Sequence, residues 1–161
     1  MVREAVDSVK GDGIERVLVC ITSQINSERL IDKAADLADT QGAELHILHV
    51  QRGDSIFNNS ETPKMVSMLC QYGSERGGSI HFYCDEDIAQ CIGKFVSEKH
   101  ITEIVIGQPP VKDIRDLREL KRAASKVLHE VKEPVEVIVV PRDDDKDNVH
   151  IFLNADISLS V

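Results

Sequence analysis

The 161-residue chain contains no tryptophan, and aromatic residues make up only 4% of it. With 42% hydrophobic residues, its core must therefore be built from Val, Ile, Leu and Ala. Long apolar runs are lacking too. No stretch reaches the roughly 18 residues of a membrane-crossing helix, and no apolar h-region follows the charged N-terminus. A formal charge of −9 argues against broad nucleic-acid binding and against attraction to an anionic membrane, while leaving room for local basic patches. The four cysteines (Cys20, Cys70, Cys84, Cys91) form no CxxC pair. Reduced thiols buried as small hydrophobes in a cytoplasmic protein are the expectation. Neither GxSxG, HExxH nor a Walker A motif occurs, and no nucleophile–base–orienter set stands out, so binding rather than catalysis is expected.

What the chain does have is a regular alternation of short apolar runs with amphipathic segments. Arg16 to Ile21 is a continuous apolar run of the kind that a sheet covered on both faces demands. Asn26 or Ser27 caps a helix whose Leu30, Ile31, Ala34, Ala35, Leu37 and Ala38 share one stripe, and Gly42 ends it. Glu44 to Val50 reads as strand two, followed by loop chemistry over residues 51–61. Thr62-Pro63 reads as a cap with proline at the first helical position, opening a helix that carries Met65, Val66, Leu69 and Tyr72. Gly77-Gly78 breaks it before strand three, Ser79 to Cys84.

Asp85-Glu86-Asp87 and Lys99-His100 place complementary charge at the two ends of the next helix, whose stripe is Ile88, Ile92, Phe95 and Val96. Strand four is Ile101 to Ile106, ending at Gly107. Gln108-Pro109-Pro110 leads to a helix capped by Asp113, with Leu117, Leu120, Ala124, Val127 and Val131 on a narrow stripe. Val135 to Val140 is strand five. Residues 1–14 read as a lead-in, 15–141 as one domain, and 142–161 as an acidic linker and tail. Within that tail, Val149 to Val161 fits either an extra strand or a partner-binding segment.

Five strands alternating with four helices predict a three-layer Rossmann-like α/β domain with a parallel sheet of order 3-2-1-4-5. The ligand crevice is expected at the carboxyl ends of the strands where the order reverses, between strands one and four. Ile21, Thr22, Ser23, Gln24 and Asn26 would line it, with His49 and Val50 from strand two, and Gly107, Gln108 and Ser125 from the second half. Short polar side chains beside a helix N-terminus favour an anion, though any strand-to-helix loop needs the same turn and cap residues. His46 and His49, three apart on a strand, face opposite sides of the sheet and cannot share a metal. Arg115, Arg118 and Arg122 share a helix face and suit either a phosphate clamp or a solvated face paired with Asp116 and Glu119.

The run Leu18-Val19-Cys20-Ile21, with Ser27-Glu28-Arg29-Leu30-Ile31, Ala34-Ala35-Asp36-Leu37-Ala38 and Gly42 to Val50, resembles the universal stress protein family. The likeness is nearest to the stress domain of KdpD-type potassium-sensor histidine kinases, and Ile101 to Gly107 matches strand four of that branch. This resemblance implies the adenine nucleotide alpha hydrolase-like variant of the fold and a role in stress or potassium-homeostasis signalling. It implies ATP, AMP or cyclic di-AMP as ligand, and a sensor-kinase or potassium-transport partner. It also implies a homodimer paired through strand 135–140; a docking module without nucleotide is the alternative. Nucleotide-binding members carry G-x2-G-x9-G-[S/T] after strand four. Here Gly107 matches the first glycine, Pro110 stands at the second, and Ala124-Ser125 is the nearest counterpart of the last pair. Proline removes an N–H donor from such a loop. In the cyclic di-AMP-binding branch the matching positions are Thr22, Gln24, Leu45, His46 and His49, with His49 standing in for a stacking tyrosine.

Overall fold

The computed structural model describes residues 13–21, 27–55, 57, 61–107, 114–140 and 149–153. In chain order the elements are β1 (Arg16–Cys20), α1 (Ser27–Gln41), β2 (Glu44–Gln51), α2 (Thr62–Glu75) and β3 (Ser79–Cys84). There follow α3 (Ile88–Glu98), β4 (Glu103–Gly107), α4 (Ile114–His129), β5 (Val135–Val140) and β6 (Val149–Leu153). The strands form one sheet of order β3-β2-β1-β4-β5-β6. The first five are parallel in the expected 3-2-1-4-5 order, and β6 adds antiparallel to β5.

Side chains alternate across the strands, so the apolar runs feed two cores. Val17, Val19, Leu45 and Ile47 meet Ile31, Ala34 and Leu69 of α1 and α2 on one face. Leu18, Leu48, Ile104 and Val137 meet Phe95, Val96 and Leu128 of α3 and α4 on the other. The Tyr72 hydroxyl donates to the Asp32 carboxylate at 2.7 Å, and the Arg76 guanidinium, lying 3.6 Å over the Tyr72 ring, pairs with the same carboxylate. This ties α1 to α2. Gly42 takes φ 64°, and the Ala43 N–H returns to the Ala38 carbonyl at 2.8 Å, closing α1.

Three details differ from the sequence expectation. Thr62 lies inside α2, with Glu61 at the cap position and no side-chain cap bond. Thr62 is instead buried, at 1% exposure. Strand four begins later than Ile101, because His100 takes a left-handed φ of 54° and the Ile101 N–H closes back onto the Val96 carbonyl at 3.0 Å. The chain is still turning there. Finally, β6 occupies the outer edge of β5, the edge assigned to a two-fold partner. Its backbone satisfies within the chain the hydrogen bonds that a second copy would have supplied.

At Gly93 a Cβ would overlap the Val127 carbonyl, so α3 and α4 approach through that glycine. Gly93→Ala is expected to destabilise the fold by about 1–3 kcal/mol through overpacking against rigid backbone. A urea midpoint shift at unchanged slope checks this.

Candidate functional site

A cavity of about 280 Å³ opens at the carboxyl ends of β1 and β2, against the first turns of α3. Its lining is mostly apolar: Cys20, Ile21, Leu48 and Val50 from the strands, Ile88 and Ile92 from α3. His49, Gln51 and Arg52 supply the polar part. Burial, and secondarily Cys91, push the Cys20 thiol up to about 12, so it stays neutral and presents an apolar wall.

His49 organises this end of the sheet. The Ile21 carbonyl can only accept, so His49 Nδ1–H donates to it at 2.9 Å. His49 Nε2 stands 3.3 Å from Gln51 Oε1. The Ile21 N–H donates to the Leu48 carbonyl at 3.0 Å. Both backbone groups of Ile21 are thus held by β2 as the chain leaves β1.

The α3 wall is positioned by the acidic run before it. The Asp87 carboxylate accepts from the Gln90 N–H at 3.1 Å, and this bond holds its pKa below the usual carboxylate range. Asp85 accepts from the Asp87 N–H at 2.9 Å. The run is spent on capping. No group of three or more His, Cys, Asp or Glu suited to a metal exists among the described residues.

Of the ten residues read from the sequence as ligand-binding, Ile21, His49 and Val50 come together in this cavity. Gly107 ends β4 close under Leu30 and lies outside the lining, and Ser125 is exposed on α4. Thr22, Ser23, Gln24, Asn26 and Gln108 fall outside the described residues, as do Pro110 and the cap Asp113. This cavity sits between β1 and β2; the segments after β1 and β4 that would line a β1–β4 crevice, residues 22–26 and 108–113, lie outside the described residues. Cys20, Leu48, Gln51, Arg52, Ile88 and Ile92 were not anticipated in the cavity. Arg52 is the first residue past β2, a position that the crevice rule singles out. His46 and His49 do face opposite sides: His46 meets His81 and Phe95, while His49 meets Ile21 and Phe82. Arg115, Arg118 and Arg122 are exposed.

A second cavity, of about 260 Å³, lies at the opposite end of the sheet beside Asp39, Glu44, Arg76 and Ser79. Its Glu44 and Arg76 are already engaged by Arg16, His46 and Asp32. Of these two cavities, the first stands where an open α/β sheet takes ligands.

A parallel sheet covered on both faces, with an apolar crevice at its strand carboxyl ends, defines a Rossmann-like α/β domain. Residues 13–69 match the universal stress protein family. The chain is also 30% identical over 93 residues to sensor protein KdpD of Mycobacterium tuberculosis (strain CDC 1551 / Oshkosh), a match covering 58% of this chain. It spans only 11% of that relative's length. Among solved structures, a universal stress protein in complex with cAMP aligns with TM-score 0.57 and 17% identity, covering 81% of this chain and 98% of that one. The universal stress protein from Archaeoglobus fulgidus in complex with dAMP aligns with TM-score 0.54 and 19% identity, covering 79% and 96%. At these identities the structures establish the shared fold. The family resemblance read from the residues, its KdpD branch included, is borne out. No helix among the described residues is long and apolar enough to cross a membrane.

His49→Leu keeps bulk but leaves the Ile21 carbonyl without its donor. Stability is expected to drop by about 1–3 kcal/mol, the cost of a buried unpaired polar group, as measured by urea unfolding.

Proposed function

We propose that this chain is a universal-stress-type regulatory module that senses an adenine-containing nucleotide, with the base held in the β1–β2–α3 cavity. The carrying observation is that cavity: a mostly apolar slot of about 280 Å³ at the carboxyl ends of β1 and β2, with exposed Arg52 in its lining. Pockets that enclose a whole drug-sized ligand run to roughly 300–1,000 Å³, so this one suits a base or nucleoside portion, leaving phosphate outside. The fold relatives bound to cAMP and dAMP support an adenine ligand. Similarity to sensor protein KdpD supports a sensor-kinase partner in a cytoplasmic potassium-homeostasis pathway. To signal, the ligand must bind one of two conformations or assemblies more tightly than the other. Cyclic di-AMP belongs to the same ligand class and enters the same test.

The experiment is parallel isothermal titration with AMP, cAMP, ATP and cyclic di-AMP on the full chain and on Ile92→Trp. The indole would fill the slot from α3 and, in a chain without other tryptophan, report its own environment by fluorescence. Saturable binding of at least one nucleotide, weakened tenfold or more in Ile92→Trp, is expected. Silence from all four ligands on well-folded protein overturns the reading.

A further inference from the structure

At the other end of β2 lies a pair of histidines that the nucleotide reading does not use. His46 Nδ1 and His81 Nε2 are 3.0 Å apart across β2 and β3. Their ring centroids are 5.2 Å apart and the rings are 29° from coplanar, so the two nitrogens point at each other nearly head-on. On its far side, His46 Nε2 donates to Glu44 Oε1 at 3.1 Å, and Arg16 Nε of β1 donates to the same oxygen at 3.1 Å. Because Glu44 fixes the proton on Nε2, the gap between the rings holds one proton, donated by one histidine to the other. Among the described residues this pair belongs to no group of three or more His, Cys, Asp or Glu that could hold a metal ion.

We propose that His46 and His81 form a one-proton latch that ties edge strand β3 to β2, and that a second proton, taken up in mild acid, springs it. The first proton taken up makes one ring a cation and leaves a single proton in the gap, so the hydrogen bond survives. Only the second puts a proton on each facing nitrogen and replaces the bond by two donors and two cations in contact. The surroundings sharpen this response. Among the described residues, Arg16 from β1 and Lys99 beyond the end of α3 are cations, Glu44 on β2 is a carboxylate bonded to His46, and α3 presents the edge of Phe95 to both rings. Burial first, then the charges of His46 and Lys99, hold the His81 pKa below its ordinary value. An unfolded histidine takes its proton near pH 6.5. As pH falls from there toward the lower folded value, the unfolded state therefore holds more protons and the latch's stabilisation is lost. Above that window it is complete.

β3 is the strand such a latch would release. It ends the sheet, and Tyr83 is 42% exposed on it. Its far end runs through the Asp85 N–H, bonded to the Gln51 carbonyl at 3.0 Å, into the cap of α3 and the Ile88–Ile92 wall. Loosening β3 therefore loosens one side of the cavity, whatever occupies it.

The test is a nitrogen-15 imidazole titration of the full chain, with amide hydrogen exchange across pH 7.5 to 5, on wild type and on His81→Gln. Glutamine keeps an N–H to offer His46 without titrating. In wild type the pair is expected to take its two protons in two distinct steps, the lower one below the ordinary histidine range. The lower step should bring faster exchange at Ile80, Phe82 and Tyr83 than at Ile104 and Val105, after correction for intrinsic rates. Through that window the wild-type folded-to-unfolded ratio should fall up to about tenfold per pH unit more steeply than that of His81→Gln. Two independent titrations at ordinary histidine values overturn the latch, as does an equally steep loss in His81→Gln. If that variant does not fold, the wild-type titration and its β3 exchange decide alone.

Discussion

Everything in this fold hangs on the burial of β1 from both sides. Val17, Leu18 and Val19 are all at 0% exposure, yet they serve different cores: the two valines pack toward α1 and α2, and the leucine toward α3 and α4. A strand so placed must have a strand partner at each edge and a helical layer on each face, because its backbone groups and both rows of side chains are cut off from water. β2 and β4 supply the edges. The chain runs outward from β1 to β2 and β3, then returns across it to β4 and β5, so β1 is also where the order reverses. That places the crevice beside its carboxyl end without any residue being chosen for ligand binding.

The polar groups inside this aliphatic interior are few, and they concentrate where strands begin and end. His49 holds Ile21 at the exit of β1. Thr102 holds the entrance, its hydroxyl accepting from the Arg16 N–H at 2.9 Å and its N–H donating to the Arg16 carbonyl at 2.9 Å. Glu103, at 5% exposure, takes the Gln41 amide at 3.0 Å and so fixes the end of α1 over the start of β4. Among the described residues no buried side-chain nitrogen or oxygen is left without a partner. In a core of Val, Ile, Leu and Ala, whose packing is forgiving of small sliding, such bonds set the register.

The strands and helices were legible because their signals are local: unbroken β-branched runs, Gly42 after α1, acidic residues before α3. Where the reading slipped, a tertiary contact had overridden a local one. Thr62 has the composition of a cap, but the core draws it in and the helix starts a residue earlier. Ile101 continues an apolar run, yet its backbone still belongs to the turn that closes α3. β6 was ambiguous because antiparallel pairing on the outer edge of β5 demands little of its sequence. The β2 half of the candidate site was legible from the switch-point rule. The α3 half was not: Ile88 and Ile92 sit four apart, and a cavity wall has the same spacing as an ordinary core stripe.

The chemistry of the cavity constrains what the proposed ligand must look like. Its floor is neutral, since Cys20 keeps its proton, and aliphatic elsewhere, so a charged group driven into it would lose hydration with nothing inside to replace it. Arg52 is exposed rather than buried and belongs to the lining. In the proposed reading an uncharged planar base therefore goes in, and the phosphate stays in water near the strand ends. There it has little need of a glycine-rich loop closing tightly around it, and Pro110 in place of a second glycine is then tolerable. A ligand held mainly by its base is one whose phosphate number is weakly discriminated, and the same slot would accept a mononucleotide or one half of a cyclic dinucleotide. Selection between them would fall to the surface around the rim.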